Sequence, residues 1–233
     1  MSLARRWNQK GRVIVMSETT DEPITMCGMM AGICYNTDTK NNEKNYKRGL
    51  DCLESGHMRA AEFPQVYLLL DGWSAKVIRE WYTHIIDVTR LQASTRYISY
   101  DNFSYITPPS IENNPEAKDA YDGLMQNIAS TLQYLESLGI KKEDASGVLP
   151  LNYATKIVFR CGLRELMNIM EQRRCTRAYH EIRELCDEIL NALSIYSDEW
   201  KELIDKGYLA CKCDKLHYCP EKNGCGRYQG DKI

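Results

Sequence analysis

The run QVYLLL at residues 65–70 constrains the fold of this chain more than any other feature. A continuous β-prone run of that length reads as a buried strand. Asp71-Gly72 is expected to end it, Ser74 can cap a helix, and Val77, Ile78, Trp81 and Ile85 then fall on one helical face. Strand, tight turn and helix in such close succession favour a domain of mixed α and β structure.

The rest of the chain supports an α+β fold. Residues 12–16 (RVIVM) read as a short strand, and Tyr46, Leu50 and Leu53 mark a helix over 42–55 that Gly56 stops. The segment 87–114, with Pro108-Pro109 and several tyrosines, reads as an ordered loop. Tyr121, Leu124, Met125, Ile128, Leu132 and Leu135 predict a long amphipathic helix closed by Gly139. Alternation from Tyr153 through Thr155, Ile157 and Phe159 to Cys161 predicts a strand with one buried face. Three helices follow, carried by Leu163–Met170, Ile182–Leu193 and Trp200–Ile204. One compact domain over 12–207 is the simplest organisation, with residues 1–11 a disordered or expression-derived tail and 208–233 a Cys-rich C-terminal extension.

With 233 residues, 43% of them hydrophobic and 27% charged, the chain is too apolar for intrinsic disorder. Its formal net charge of −2 argues against general nucleic-acid binding. No signal peptide is recognisable, and no apolar run approaches the roughly 20 residues of a membrane span. A reducing cytoplasm is the expected setting, so the ten cysteines are judged as core residues, metal ligands or reactive thiols rather than disulfides. Six are dispersed, among them Cys34, Cys161, Cys175 and Cys186, which read as core or half-buried residues. Cys211, Cys213, Cys219 and Cys225 cluster at the C-terminus beside His217. Four thiolates could close a tetrahedral zinc site there, although the spacing lacks the paired C-x2-C of the strongest zinc motifs.

Two other segments combine residue types that suit anionic ligands. Ser94, Thr95 and Arg96 bring hydroxyls and a guanidinium into one short loop, a mixture suited to a phosphate or a pyrimidine edge. Arg164, Asn168 and Arg173 can share one side of a helix that starts at a strand end. Taken singly, each reads equally well as a solvated polar surface.

Together with ESGHMRAAEF (54–63), TRLQASTRY (89–97), VLPLN (148–152) and RELMNIMEQRR with HEIREL (164–185), these segments have the order and spacing of one family. Over about residues 27–196 the chain resembles the flavin-dependent thymidylate synthases, also described as thymidylate synthase complementing proteins. The resemblance implies an α+β fold with a mixed sheet and packed helices, assembled as a homotetramer with active sites built between subunits. It implies FAD as cofactor, NADPH as reductant and methylenetetrahydrofolate as carbon donor, with dUMP methylated to dTMP. No protein nucleophile is needed, because the cofactor carries the difficult chemistry. By position, His57, Glu62, His84, Arg164 and Asn168 match flavin-binding residues. Ser94, Thr95 and Arg96 match the nucleotide-binding loop, and Arg173 matches the arginine at the pyrimidine ring, the candidate catalytic residue. A guanidinium there could stabilise charge that develops on the uracil oxygens.

The departures are specific. The family's Arg-His-Arg run is Thr83-His84-Ile85 here, and one residue is inserted before Arg96. Glu80 and Gln92 stand as an exchanged acid and amide at the nucleotide, Ser146 replaces a phosphate-binding Arg, and Arg177 replaces a His. Arg90 is the candidate substitute for the missing phosphate partner, ahead of Arg79 and Arg174. Alternatives that these departures leave open are dCMP as substrate, hydroxymethyl transfer, and a non-catalytic flavin- or nucleotide-binding protein. A zinc-tailed interaction module is a further alternative, resting on the C-terminal cysteines.

Overall fold

The computed structural model describes residues 4–7 and 10–228. In chain order the elements are β1 (Arg5–Arg6), β2 (Arg12–Val15), α1 (Pro23–Cys34), α2 (Asn42–Glu54), β3 (Gln65–Ser74), α3 (Ala75–Trp81), β4 (Val88–Gln92) and β5 (Ser104–Tyr105). They continue as α4 (Pro109–Glu112), α5 (Pro115–Ser137), α6 (Lys142–Ala145), β6 (Ala154–Gly162), α7 (Leu163–Arg173), α8 (His180–Tyr196), α9 (Asp198–Asp205) and α10 (Lys212–Leu216). A four-stranded sheet has the order β2-β3-β6-β4, and β1 pairs with β5 in a separate parallel ribbon.

The chain divides into two compact units, each drawn from separate stretches of sequence. The first runs up to Arg12 and adds Leu70–Thr83 and Leu91–Val158. Its core joins Tyr100, Phe103, Tyr105 and Tyr153 to Met125, Ala129 and Leu132 of α5. Residues 4–7 belong to this unit and are not a loose tail. Ala4 is buried, and the N–H groups of Arg5 and Trp7 donate to the carbonyls of Phe103 and Tyr105. The remaining part of the expected tail that bears on disorder, 1–3 and 8–9, lies outside the described residues, as do 229–233 of the C-terminal extension.

Asp71-Gly72 does not end β3. The strand runs on to Ser74 because its last residues find partners: Asp71 pairs with Arg12, and Trp73 Nε1 donates to the Arg12 carbonyl at 3.1 Å. Ser74 then caps α3 as expected, its hydroxyl accepting from Val77 N at 3.1 Å. That helix is shorter than the apolar spacing implied. Thr83 turns both its N–H and its hydroxyl to the Glu80 carbonyl, which closes the last turn and leaves Ile85 exposed beyond it. The segment 87–114 is not one loop, since it contains β4, β5 and α4.

The second unit comprises Val13–Leu69, His84–Arg90 and everything from Phe159 onward. In it α8 packs against α7 and α9 through Ile182, Leu185, Ile189 and Leu193, all buried. Helix α1 had no amphipathic signature to announce it, because apolar residues surround it. It packs on α2 at two glycines: a Cβ on Gly28 would lie 1.8 Å from the Asn45 carbonyl oxygen, and one on Gly49 1.9 Å from that of Ile24. The start of α1 is capped from far away, as Glu199 of α9 accepts from Ile24 N at 2.6 Å and Thr25 N at 3.0 Å. Cys161 and Cys186 are buried and Cys175 half-buried as expected, but Cys34 is exposed.

Candidate active site

The junction between β6 and α7 fixes the geometry of the second unit. Gly162 N-caps α7, and its N–H donates to Asp87 Oδ2 at 3.1 Å while Arg160 meets Asp87 Oδ1 at 2.5 Å. Asp87 has φ of 47°, in the left-handed region that costs a non-glycine residue roughly 1 kcal/mol or more. The two bonds from its carboxylate hold it there. A Cβ on Gly162 would lie 2.4 Å from Asp87 Oδ2 and 3.2 Å from the Glu62 carbonyl oxygen, so a side chain there would push the Asp87 carboxylate away from the two bonds it makes.

From that start, Arg164 and Asn168 follow one helical turn apart on one side of α7. Arg164 pairs with Glu62 Oε1 at 2.5 Å, the acid standing on a short 3-10 turn, Ala60–Glu62. Asn168 Nδ2 donates to Glu165 Oε2 at 3.1 Å. Glu62, Arg164, Glu165 and Asn168 line a cleft of about 590 Å³ with Ile86 and Asp87. Arg164 and Asn168 also line a second cleft of about 680 Å³, with Met58, Met167 and residues of the C-terminal segment. His57 borders a third, more apolar one with Cys52, Arg59 and Phe63, in which Glu62 also takes part.

Further along α7, Arg173 Nε donates to His84 Nε2 at 2.9 Å. His84 is buried, and burial together with the cations of Arg173 and Arg90 brings its pKa down to about 4. The ring is therefore neutral at physiological pH, with its proton on Nδ1. That nitrogen lies 4.0 Å from Glu165 Oε1, too far for a hydrogen bond but close enough for electrostatic attraction. Glu165 is itself buried, which raises its carboxyl pKa. Arg90 NH1 donates to the His84 carbonyl at 2.6 Å, so this arginine is engaged with the backbone of the same histidine.

The first unit carries the other expected residues. Arg96 is exposed, its Nε meeting Glu143 Oε2 at 2.9 Å, and its N–H donates to Ser94 Oγ at 3.1 Å. Thr95 is half-buried between them. Gln92 Nε2 lies 3.5 Å from both Tyr153 Oη and Thr155 Oγ1, at the outer limit of a hydrogen bond. Glu80 stands on α3, half-buried. Ser146 bonds to the Glu143 carbonyl, 3.0 Å away.

Residues 15–195 match the sequence model of the family described as thymidylate synthase complementing protein. The chain belongs to that family. It is 32% identical over 186 residues to a flavin-dependent thymidylate synthase of Nitratidesulfovibrio vulgaris, covering 76% of this chain and 74% of that one. With a flavin-dependent thymidylate synthase of Clostridium tetani it shares 31% identity over 209 residues, 80% of this chain and 84% of the relative. The fold is similar to a crystal structure of the flavin-dependent thymidylate synthase ThyX from Helicobacter pylori complexed with FAD and dUMP. The TM-score is 0.64 at 16% identity, over 82% of this chain and 98% of that one.

In this member of the thymidylate synthase complementing protein family, the second unit brings Glu62 to Arg164 and His84 to Arg173. Ser94, Arg96 and Gln92 share the first unit with Glu80. Two participants escaped the sequence reading, Asp87 and Glu165. Glu165 left a faint signal, an acid at a helix position flanked by apolar residues that turn out buried. Asp87 left none, because its role depends on Gly162, 75 positions away. The runners-up for a phosphate partner differ: Arg174 is tied to the Leu209 carbonyl at 3.1 Å, whereas Arg79 is exposed on α3. Arg177 pairs with Glu221 at 2.9 Å. Among the described residues, of the four cysteines read as a zinc set only Cys211 and Cys213 have converged with a third donor, and that donor is Asp214.

Proposed function

We propose that the chain is a flavin-dependent thymidylate synthase, binding FAD and converting dUMP to dTMP with methylenetetrahydrofolate as carbon donor and NADPH as reductant. The observation that carries this reading is that Glu62, Arg164 and Asn168, the positions given to the flavin by family resemblance, line one cleft of about 590 Å³. That cleft lies in a chain matching the family over residues 15–195. The names of the relatives support the reaction, and the Helicobacter pylori enzyme, described with FAD and dUMP, supports the ligands.

The residues present suit a flavin. Arg164 and Asn168 offer a guanidinium and an amide to its oxygens, and the exposed side chain of Ile86 offers apolar surface to a ring. When bound, FAD supplies the hydride that completes the transferred methyl group. The rest is the work of the chain. Arg164 would exchange its pairing with Glu62 for the cofactor, and His57, which lines the neighbouring apolar cleft, would contribute to holding it. Ser94, Thr95 and Arg96 hold the nucleotide phosphate, for which Arg96 releases Glu143. Glu80 and Gln92 meet the nucleotide as acid and amide, and Arg173 stabilises negative charge on the uracil oxygens.

We also propose a homotetramer with active sites between subunits, supported by exposed apolar side chains on the segment around the site: Ile85, Ile86, Leu91 and Tyr97 are each more than 70% exposed. All ten cysteines are free, which suits a reducing cytoplasm. Among the described residues no helix is long and apolar enough to cross a membrane.

The test is growth of a thymidine-requiring bacterial strain carrying this chain, with the purified protein assayed alongside. Growth without thymidine, and dTMP formation that needs both the folate and NADPH, are expected. A folded, soluble protein that stays colourless after incubation with FAD and supports no growth would overturn the reading. Equal rates on dCMP would overturn the assignment of the nucleotide.

A further inference from the structure

The cysteine-rich segment folds back on α7. Lys215 Nζ meets Glu171 at 2.8 Å, Arg174 holds the Leu209 carbonyl, and Leu209 and Cys211 are buried. At the start of α10 the chain turns tightly, with Asp214 N donating to the Cys211 carbonyl at 3.1 Å. The turn draws three donor atoms together. Cys211 Sγ lies 3.2 Å from Cys213 Sγ and 3.0 Å from Asp214 Oδ2, and all three donors lie within 4.8 Å of one another.

The remaining oxygen of Asp214 is held from behind. Tyr228 Oη donates to Oδ1 at 2.8 Å and Arg227 NH2 lies 2.9 Å from it, which leaves Oδ2 turned toward the thiols. Hydrogen bonds of this kind orient a ligating carboxylate and are a recurrent outer shell of metal sites. The charges also balance. Two thiolates and a carboxylate carry three negative charges, which a divalent cation and the Arg227 guanidinium, 3.7 Å from Cys211 Sγ, would neutralise. Two sulfurs and one oxygen suit zinc better than the hard cations magnesium and calcium.

We propose that Cys211, Cys213 and Asp214 bind one zinc ion per chain, in a site with three protein ligands and a fourth position open to another donor. Binding forms two Zn–S bonds and one Zn–O bond and releases two thiol protons to solvent, with no change of oxidation state. Tetrahedral zinc places two thiolates roughly 3.8 Å apart, so the sulfurs open by about half an ångström as the ion enters. The ion fixes the tight turn at the start of α10, next to Lys215, whose pairing with Glu171 already ties the segment to α7. Asp214, Lys215 and His217 line the 680 Å³ cleft that Arg164 and Asn168 also face, so fixing that turn steadies one wall of it. The zinc site does not depend on the flavin reading. It differs from a four-cysteine site in dispensing with Cys219 and Cys225, neither of which belongs to the converged group.

The experiment is elemental analysis of the full-length protein, purified without chelator, alongside a cobalt(II) spectrum of the wild type. Expected are one zinc per chain in the wild type and in Cys219→Ser and Cys225→Ser, and loss of zinc in Cys211→Ser and Cys213→Ser. Tyr228→Phe, which loosens Asp214 without removing a ligand, should weaken zinc affinity by about tenfold. Cobalt should give thiolate charge-transfer absorption and tetrahedral visible bands in the wild type, a reading that no variant's folding can confuse. Wild-type protein that retains no zinc after loading and gel filtration, or gives no thiolate band with cobalt, would overturn the proposal. So would zinc loss in Cys219→Ser and Cys225→Ser as complete as in Cys211→Ser.

Discussion

His84 is held at both its ring and its backbone by arginines, Arg173 at Nε2 and Arg90 at the carbonyl. Only a neutral imidazole can accept from Arg173 there, and burial with two nearby cations keeps it neutral down to about pH 4. The unfolded chain takes up the proton near pH 6.5, so the unfolded state binds more protons between the two values and stability falls as pH drops through that window. The His84 contribution is at most about 3.5 kcal/mol, from roughly 1.4 kcal/mol per pKa unit. Glu165 acts in the opposite sense, because its raised pKa makes the folded state less favourable as pH rises past the ordinary carboxylate range. Urea denaturation across this range should show a shallower acid-side loss in His84→Gln than in the wild type. His84 also serves as a positioning residue for Arg173. We expect His84→Ala to lower kcat/KM for the nucleotide about tenfold, the effect of losing one hydrogen bond to a charged group. His84→Gln, whose amide oxygen can still accept from Arg173 Nε, should recover part of that loss, whereas a merely structural role would give no such rescue. The sequence marked both residues, but nothing in their spacing joined them, because 89 positions separate them.

At the level of elements, the start of α7 depends on the close fit between Gly162 and Asp87. Gly162→Ala forces a methyl group against Asp87 Oδ2, and overpacking of this kind costs about 1–3 kcal/mol. Thermal unfolding should show a Tm lower by several degrees. Asp87→Gly keeps the left-handed backbone and removes the clash, so the double variant should be less destabilised than the sum of the single ones. Strongly patterned elements were legible in advance: α5, α7 and α8 follow their apolar stripes, and β6 its alternation. Helix α1 was not, since a segment apolar on every side has no period, and its N-terminal cap is supplied by Glu199, 175 positions on from Ile24. The ends of β3 and α3 depart from their sequence pattern for a related reason. Asp71-Gly72 has turn chemistry, and Gly72 does take a φ of 78°, but the partners of Asp71 and Trp73 carry the strand past it to Ser74.

At the scale of the whole molecule, the proposed assembly would cover exposed apolar side chains of each unit, Leu91 and Tyr97 in the first and Ile85 and Ile86 in the second. Native mass spectrometry should find four copies together, and Ile85→Lys or Leu91→Glu should shift the population toward smaller species. Both substitutions add charge to an exposed side chain, so the fold of the single chain should be unaffected. A monomeric wild type at micromolar concentration would rule out sites built between subunits. Tetramer loss accompanied by loss of FAD would tie cofactor binding to assembly.

The sequence by itself determined the α+β class, most of the periodic elements, the family, and the identity of the residues around Arg164 and Arg173. Those depend on local pattern and on motif order, which are written along the chain. The tertiary structure decided which side chains meet: Glu62 with Arg164, His84 with Arg173, Asp87 with Gly162, and Asp214 rather than Cys219 or Cys225 with the paired thiols. Periodicity reports that a face is buried but not what buries it. Hydrogen bonds and ion pairs between distant segments are set only when the backbone has brought their ends within about 3 Å.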